Sequence, residues 1–273
     1  MQLMISTIAG LLVLSVEFAP DCRADDFAEA TKFLQEAAQT ATSVANKREK
    51  DGVLRVIAEA QAKAGDLKGA LGTSSMIGDN DERDEALAFA AVAHGRAGDI
   101  PGALATVKSI QEENDRATAL WGIAVARAEE GDIKGALQFA QKIPNRSTID
   151  IALEGIAEQQ VKAGDVKGAL QTVEMVQNPF AKESVLQSIA AVQVKAGDVQ
   201  GGLQTVASIQ SNVLKSEALK KIAAVEVGAG DLKGALGWSR KLDSPLEKSY
   251  ALLGIATGML RKAPIEPIKS KVR

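Results

Sequence analysis

One histidine, one cysteine and a recurring set of charged side chains are the groups in this sequence that could do chemistry. His94 has no second His with which to share a metal. It also has no Ser or Cys beside it in a nucleophile motif, so a partly covered polar residue is expected. Asp79-Asn80-Asp81 resembles the start of a calcium loop. That loop would need a Gly and a late bidentate Glu, and Ala90 stands where the Glu belongs, which leaves a solvated acidic loop as the expectation. Glu154 and Glu158 are the one plausible carboxylate pair for acid–base work. Their i,i+4 spacing on one helix is ordinary solvated charge. No G-x-x-x-x-G-K-[ST] occurs, so the glycines are not a phosphate loop. The expectation is a chain with no catalytic residue, no cofactor and no metal.

A column of cations is sharper. Lys50, Arg83, Arg116, Lys182, Lys215 and Lys248 recur at one register, interrupted by Ile149. Cations are mildly unfavourable at a helix N-terminus, which is where this register falls. Two readings stay open. The column pairs with nearby carboxylates or with the last carbonyls of the preceding helix, or it is a basic ladder for an anionic partner.

The element that must position these groups is a repeat. A-G-D-L-K-G-A-L from Ala64 returns from Ala97, Glu130, Ala163, Ala196 and Ala229, always 33 residues on. A fixed period of this size marks a stacked-repeat architecture. Each repeated Gly follows a long alanine-rich run, where a residue of positive φ ends a helix cheaply only as Gly. The Asp after it is a strong N-cap for the next helix. Pro101 fits the first turn of such a helix, where its missing N–H is no loss. The product is a tight helical hairpin, six times over, with fourteen helices after Asp25 and no strand.

Apolar columns run through the repeats. The long helices carry Leu54, Leu87, Leu120, Leu153, Leu186, Leu219 and Leu252, then Ile57 and its equivalents, then a column wholly of alanine from Ala58 to Ala256. Offsets of three and four put all three on one helix face. The short helices carry Leu71, Leu104, Leu137, Leu170, Leu203 and Leu236, then Ile77, Ile110, Ile143, Val176, Ile209 and Leu242, and Gly69 and its equivalents are read as relief of bulk at a close helix crossing. Residues 25–46 form an N-terminal capping half-repeat, repeats fill 47–263, and 264–273 is a basic tail.

The long helix with Leu120, Ile123 and Ala124, the turn at Gly131, and then Ile133 and Ala136 resembles the tetratricopeptide repeat. The resemblance covers roughly Asp26 to Lys262. The period is 33 rather than 34, and polar residues (Gln61, His94, Arg127, Gln160, Gln193, Glu226) stand where that family has a large aromatic. The resemblance implies an all-α solenoid of stacked antiparallel hairpins, a superhelix whose concave face holds peptide segments.

Composition narrows the partner. Aromatic content is 3% against 46% hydrophobic, so the core is aliphatic, and the net charge of −3 gives no electrostatic case for nucleic acid. Met4 to Val16 is apolar but too short to span a bilayer. It reads as the core of a signal peptide, residues 1–24, with Cys22-Arg23-Ala24 before the cut and a mature start near Asp25. A periplasmic or secreted protein is expected, with no membrane span in the mature chain. The lone Cys22 permits no disulfide within one chain.

One face of each long helix varies freely, as solenoids do where they bind. The expected partner-binding residues are Arg55, Glu85, Phe89, Val92, Trp121, Val125, Ile151, Glu154, Glu158 and Tyr250. Trp121 is the expected principal anchor, turned about 100° from the Leu120 column. Gly122 is expected to leave room beside it for a ligand. The partner would be a protein or peptide segment with apolar residues next to Lys or Arg. The alternatives are that the next repeat covers the apolar members, that a carbohydrate-binding protein or enzyme uses the same groove, or that the chain is a passive spacer.

Overall fold

The computed structural model describes residues 24–262, in which fourteen α-helices are the only regular elements. In chain order they are α1 Ala24–Ala41, α2 Lys47–Lys63, α3 Leu67–Ser75, α4 Asn80–Arg96, α5 Ile100–Ser109, α6 Glu113–Glu129, α7 Ile133–Ala140, α8 Arg146–Lys162, α9 Val166–Glu174, α10 Pro179–Lys195, α11 Val199–Ala207, α12 Asn212–Ala229, α13 Leu232–Ser239 and α14 Pro245–Lys262. The expected count and the absence of strand hold among these residues. The apolar run Met4 to Val16, Cys22 and the tail 264–273 lie outside them.

The chain divides into two compact units, with the boundary between Ala152 and Leu153 inside α8. In the first unit α4 packs on α2, α3, α5 and α6, and α1 closes against α2. In the second, α10 packs on α9, α11 and α12, and α12 packs on α13 and α14. Each unit is thus an all-α stack of antiparallel hairpins, long helix against long helix and each long helix against its short neighbours.

The Gly-Asp turn sets this geometry. Gly65, Gly98, Gly131, Gly164, Gly197 and Gly230 all have positive φ, from 75° to 105°. The Gly65 N–H donates to Ala62 O at 3.0 Å and the Asp66 N–H to Gln61 O at 2.9 Å. This pair of bonds satisfies the last carbonyls of the helix. The Asp66 carboxylate then accepts from the Gly69 N–H at 2.9 Å and caps α3. The same bond recurs from Gly102, Gly135, Gly168, Gly201 and Gly234.

One expectation is corrected here. Gly69 does not relieve a helix crossing. A Cβ at that position would overlap the carboxylate of its own cap, Asp66, and at Gly102 it would also meet the His94 ring. The six leucines of the Leu71 column are half-buried. The fully enclosed position is the small residue just before, Ala70, Ala103, Ala136, Ala169 and Ala235, each 0% exposed. A short helix held that close by alanine leaves a leucine 100° further round at the margin of the contact. The long-helix columns do form the core, led by Leu54, Ile123, Leu153, Ile156, Ile189 and Ile222.

A buried carboxylate column holds the loops between repeats. Asp51 accepts from the N–H groups of Gly78 and Asp79, Asp84 from Gln111 and Glu112, and Glu183 from Gln210 and Ser211. These N–H groups open the next long helix and have no intrahelical acceptor. In the third full repeat the acceptor position is Ala117, and the first donor position is Pro144, which has no N–H. The first donor is lost with the acceptor.

Candidate partner-binding face

In the first unit α2, α4 and α6 present their variable faces. Arg55 is a hub. Its Nε donates to Glu82 at 2.6 Å, and its Nη1 lies 3.4 Å from Glu85 and 3.6 Å from Glu59. Arg55 and Glu85, both expected on the face, are therefore in direct contact. Glu82 and Asp115 were not expected there. The available signal was an acid recurring at a spacing of 33, Glu49, Glu82 and Asp115.

Acid exceeds base at this spot. Burial pushes the Glu85 carboxyl above its ordinary value. Arg55 opposes the shift, while Glu82, Glu59 and Asp115 add to it. Burial likewise raises Asp115, reinforced by Asp84, Asp81 and Glu112. A single guanidinium leaves these carboxylates under-compensated, an environment that a second cation would relieve.

The apolar members are half-buried. The Lys63 ammonium stands over the Phe89 ring, 5.6 Å from its centre, and is tied to Glu59 at 2.5 Å. Val92, Val125 and Ile151 are each partly exposed. Trp121 overturns its expectation: it is 5% exposed, with its indole N–H buried and unpartnered. Its column explains why. Arg55, in the same register, reaches Glu82 and Glu85 of the following long helix, so this register points into the seam between consecutive long helices. Gly122 leaves no ligand space, since a Cβ there would come within 2.6 Å of Val92 Cγ2. The glycine lets α6 approach α4.

In the second unit Glu154 is raised by burial first and by Glu158 second, with a bond from Ser184 opposing. Tyr250 on α14 lies under the Lys220 ammonium at 5.7 Å, and Lys220 pairs with Glu217 at 2.7 Å. Tyr250 and Phe89 thus occupy similar settings, one in each unit.

The remaining candidates are structural. His94 is buried, with Nδ1 2.8 Å from the cap carboxylate of Asp99. Two others of its column, Arg127 and Gln160, do the same work. Arg127 grips Asp132, Gln160 grips Asp165 and also accepts from Thr172, and Glu226 accepts from the Trp238 indole at 2.6 Å. At His94, Arg127 and Gln160 this polar column braces the cap carboxylate of the Gly-Asp turn. Asp79 caps α4 through the N–H groups of Asp81 and Glu82. In the basic column Arg116 donates to the carbonyls of Ile110 and Gln111, Arg83 to Asn80, and Lys182 pairs with Glu174. Arg116 and Lys182 follow the pairing reading, whereas Arg83 bonds the amide oxygen of Asn80 on its own helix. Among the described residues no cluster of His, Cys, Asp and Glu could hold a metal, and no helix is long and apolar enough to cross a membrane. No protein-family model matches this chain, and no curated protein matches it.

Proposed function

We propose that this protein is an exported, tetratricopeptide-like repeat scaffold with no catalytic activity of its own, which binds a protein or peptide segment carrying basic and apolar residues. The observation that supports this reading most directly is the under-compensated acidic cluster of Glu82, Glu85 and Asp115, set beside half-exposed Phe89, Val92 and Val125. Complementary charge gives such a site orientation and speed of encounter, and the apolar groups give it retention. Arg55 marks where a basic side chain of the partner would extend an existing network. Glu154, Glu158 and Tyr250 offer a second contact region of the same chemistry in the other unit, and Ile151 is a further half-exposed apolar contact in the first.

The test is capture from a cell-envelope extract by the parent and by Glu85→Gln/Asp115→Asn. The double variant removes two desolvated charges without changing shape. It should keep the parent's melting temperature to within a few degrees and lose roughly tenfold in affinity, equivalent to about 1.4 kcal/mol. Equal capture by both proteins would place binding elsewhere. No specific capture by the parent would favour a passive spacer.

A further inference from the structure

The second residue of each long helix changes character along the chain. It is Arg48 in α2, Asp81 in α4, Asn114 in α6 and Ser147 in α8, all polar. It is Phe180 in α10, Val213 in α12 and Leu246 in α14, all large and apolar. These three helices belong to the second unit, and α12 packs directly against both α10 and α14. One register on three neighbouring helices sets the three side chains in a row at one edge of that unit. All are exposed: Phe180 76%, Val213 61% and Leu246 45%. A single apolar side chain on a surface is ordinary, but a row of them at one register is a patch.

Cations accompany the row. Lys182, Lys215 and Lys248 each follow two residues after an apolar member. Lys182 is held by Glu174, whereas Lys215 and Lys248 have no carboxylate partner among the described residues. The turn from α13 into α14 adds exposed Arg240 and Lys241. The unpaired acids beside them are Asp243 and Glu247. Glu217 is engaged by Lys220, and Glu183 is buried and taken by the N–H groups of Gln210 and Ser211. Base therefore exceeds acid at the surface of this edge.

The chemistry selects the cover. Side chains this exposed project from the surface, whereas the anchors of a protein partner sit in well-packed pockets. A second copy seated symmetrically would bring the same cations face to face. Three side chains also fall well short of the roughly 800 Å² per partner that a specific dimer needs. An anionic lipid surface suits both features. Its headgroup region takes projecting apolar groups about 5–10 Å deep, and its negative potential attracts nearby Lys and Arg.

We propose that this edge of the second unit is a peripheral docking surface for an anionic lipid bilayer. Phe180, Val213 and Leu246 enter the acyl boundary, and Lys215, Arg240, Lys241 and Lys248 face the headgroup phosphates. The surface uses none of the residues proposed above to bind a protein partner.

A depth-sensing dye and vesicle flotation test this on the full chain carrying Cys22→Ser, so that one introduced cysteine takes the label. An environment-sensitive dye on Val213→Cys should shift to the blue with vesicles of phosphatidylglycerol and phosphatidylcholine, and not with phosphatidylcholine alone. The same dye on Lys233→Cys, at the start of α13 and so at the other end of the α12–α13 hairpin, should stay in water. In the unlabelled chain, Lys215→Gln/Lys248→Gln should weaken binding to the anionic vesicles roughly fivefold for each lysine. Phe180→Ser/Val213→Ser/Leu246→Ser should weaken it roughly tenfold or more, with the melting temperature kept because these side chains are exposed. A dye at position 213 that stays in water while the chain floats would place the contact elsewhere in the chain and overturn the proposal. So would a chain that does not float, or equal blue shifts with the two kinds of vesicle. A dimer in lipid-free solution that the serine variant dissociates would assign the row to a second copy and overturn it as well.

Discussion

The Asp84 carboxylate accepts the backbone N–H of Glu112 at 2.9 Å, fastening the start of one long helix to the body of the previous one across 28 residues. The same oxygen takes the Gln111 N–H at 2.7 Å. Asp84 is wholly buried, so its charge is tolerated only because these donors face it.

Asp84→Ala should therefore destabilise the first unit by about 2–4 kcal/mol, since two N–H groups lose a charged acceptor inside the protein. Chemical denaturation of variant and parent measures it. A midpoint within error of the parent would show that water replaces the carboxylate freely.

Much of this was legible beforehand. The spacing of 33, the glycine before each cap and the offsets of the Leu, Ile and Ala columns each follow from backbone chemistry that acts locally, so helices, turns and long-helix core were all readable. What could not be read was which side chain reaches across to a neighbour. Asp51, Asp84 and Glu183 recur beside the basic column, yet nothing local distinguishes a buried acceptor from a solvated acid. His94 and Gln160 looked like degenerate aromatic positions until the cap carboxylates appeared beside them. The face residues were partly readable: Arg55 and Glu85 meet, but whether Trp121 was covered depended on packing between consecutive long helices, which no local pattern reports.

Glu226 offers a pH-dependent prediction. Burial raises its carboxyl above the ordinary 4.5, the Trp238 bond opposes the shift, and Asp231 adds to it. A raised carboxyl makes the folded state bind more protons than the unfolded chain, so its penalty is full at neutral pH and fades as pH falls through the raised value. Glu226→Gln installs the residue found at positions 61, 160 and 193. It should stabilise the second unit by about 0.5–2 kcal/mol at pH 7, with a gain that shrinks on acidification toward pH 4.5. A gain independent of pH would locate the effect in packing rather than in charge.

Acid should act oppositely on partner binding. Glu85 and Asp115 are held above their ordinary 4.5 and 3.8. They take up protons earlier in an acid titration than exposed carboxylates do. Capture of a basic segment should weaken as pH falls toward that window, while the caps Asp99 and Asp132, held below 3.8 by the Gly102 and Gly135 N–H groups, remain ionised and keep the fold. Affinity that follows only the unfolding transition would argue against a role for these two acids.

Trp121 and Phe89 separate fold from function most sharply. Trp121 is buried in the seam and its N–H has no partner. Truncation to Ala should empty that space and destabilise the first unit by about 3–5 kcal/mol, similar to or larger than the loss of about 2–5 kcal/mol expected for Leu153→Ala in the core. Trp121→Phe should lose less than half as much as Trp121→Ala, because it keeps an aromatic filler and removes a buried donor that nothing satisfies. Phe89 is half-exposed beneath Lys63. Phe89→Ala gives up one cation–π contact of about 0.5–1 kcal/mol and part of an aromatic surface, so its melting temperature should move far less than that of Trp121→Ala. Its partner capture should fall further than its stability does. Thermal melts and capture assays on the three variants give a two-by-three comparison. If Trp121→Ala left the melt unchanged while abolishing capture, the tryptophan would be a binding anchor after all, and the seam would have to open when the partner arrives.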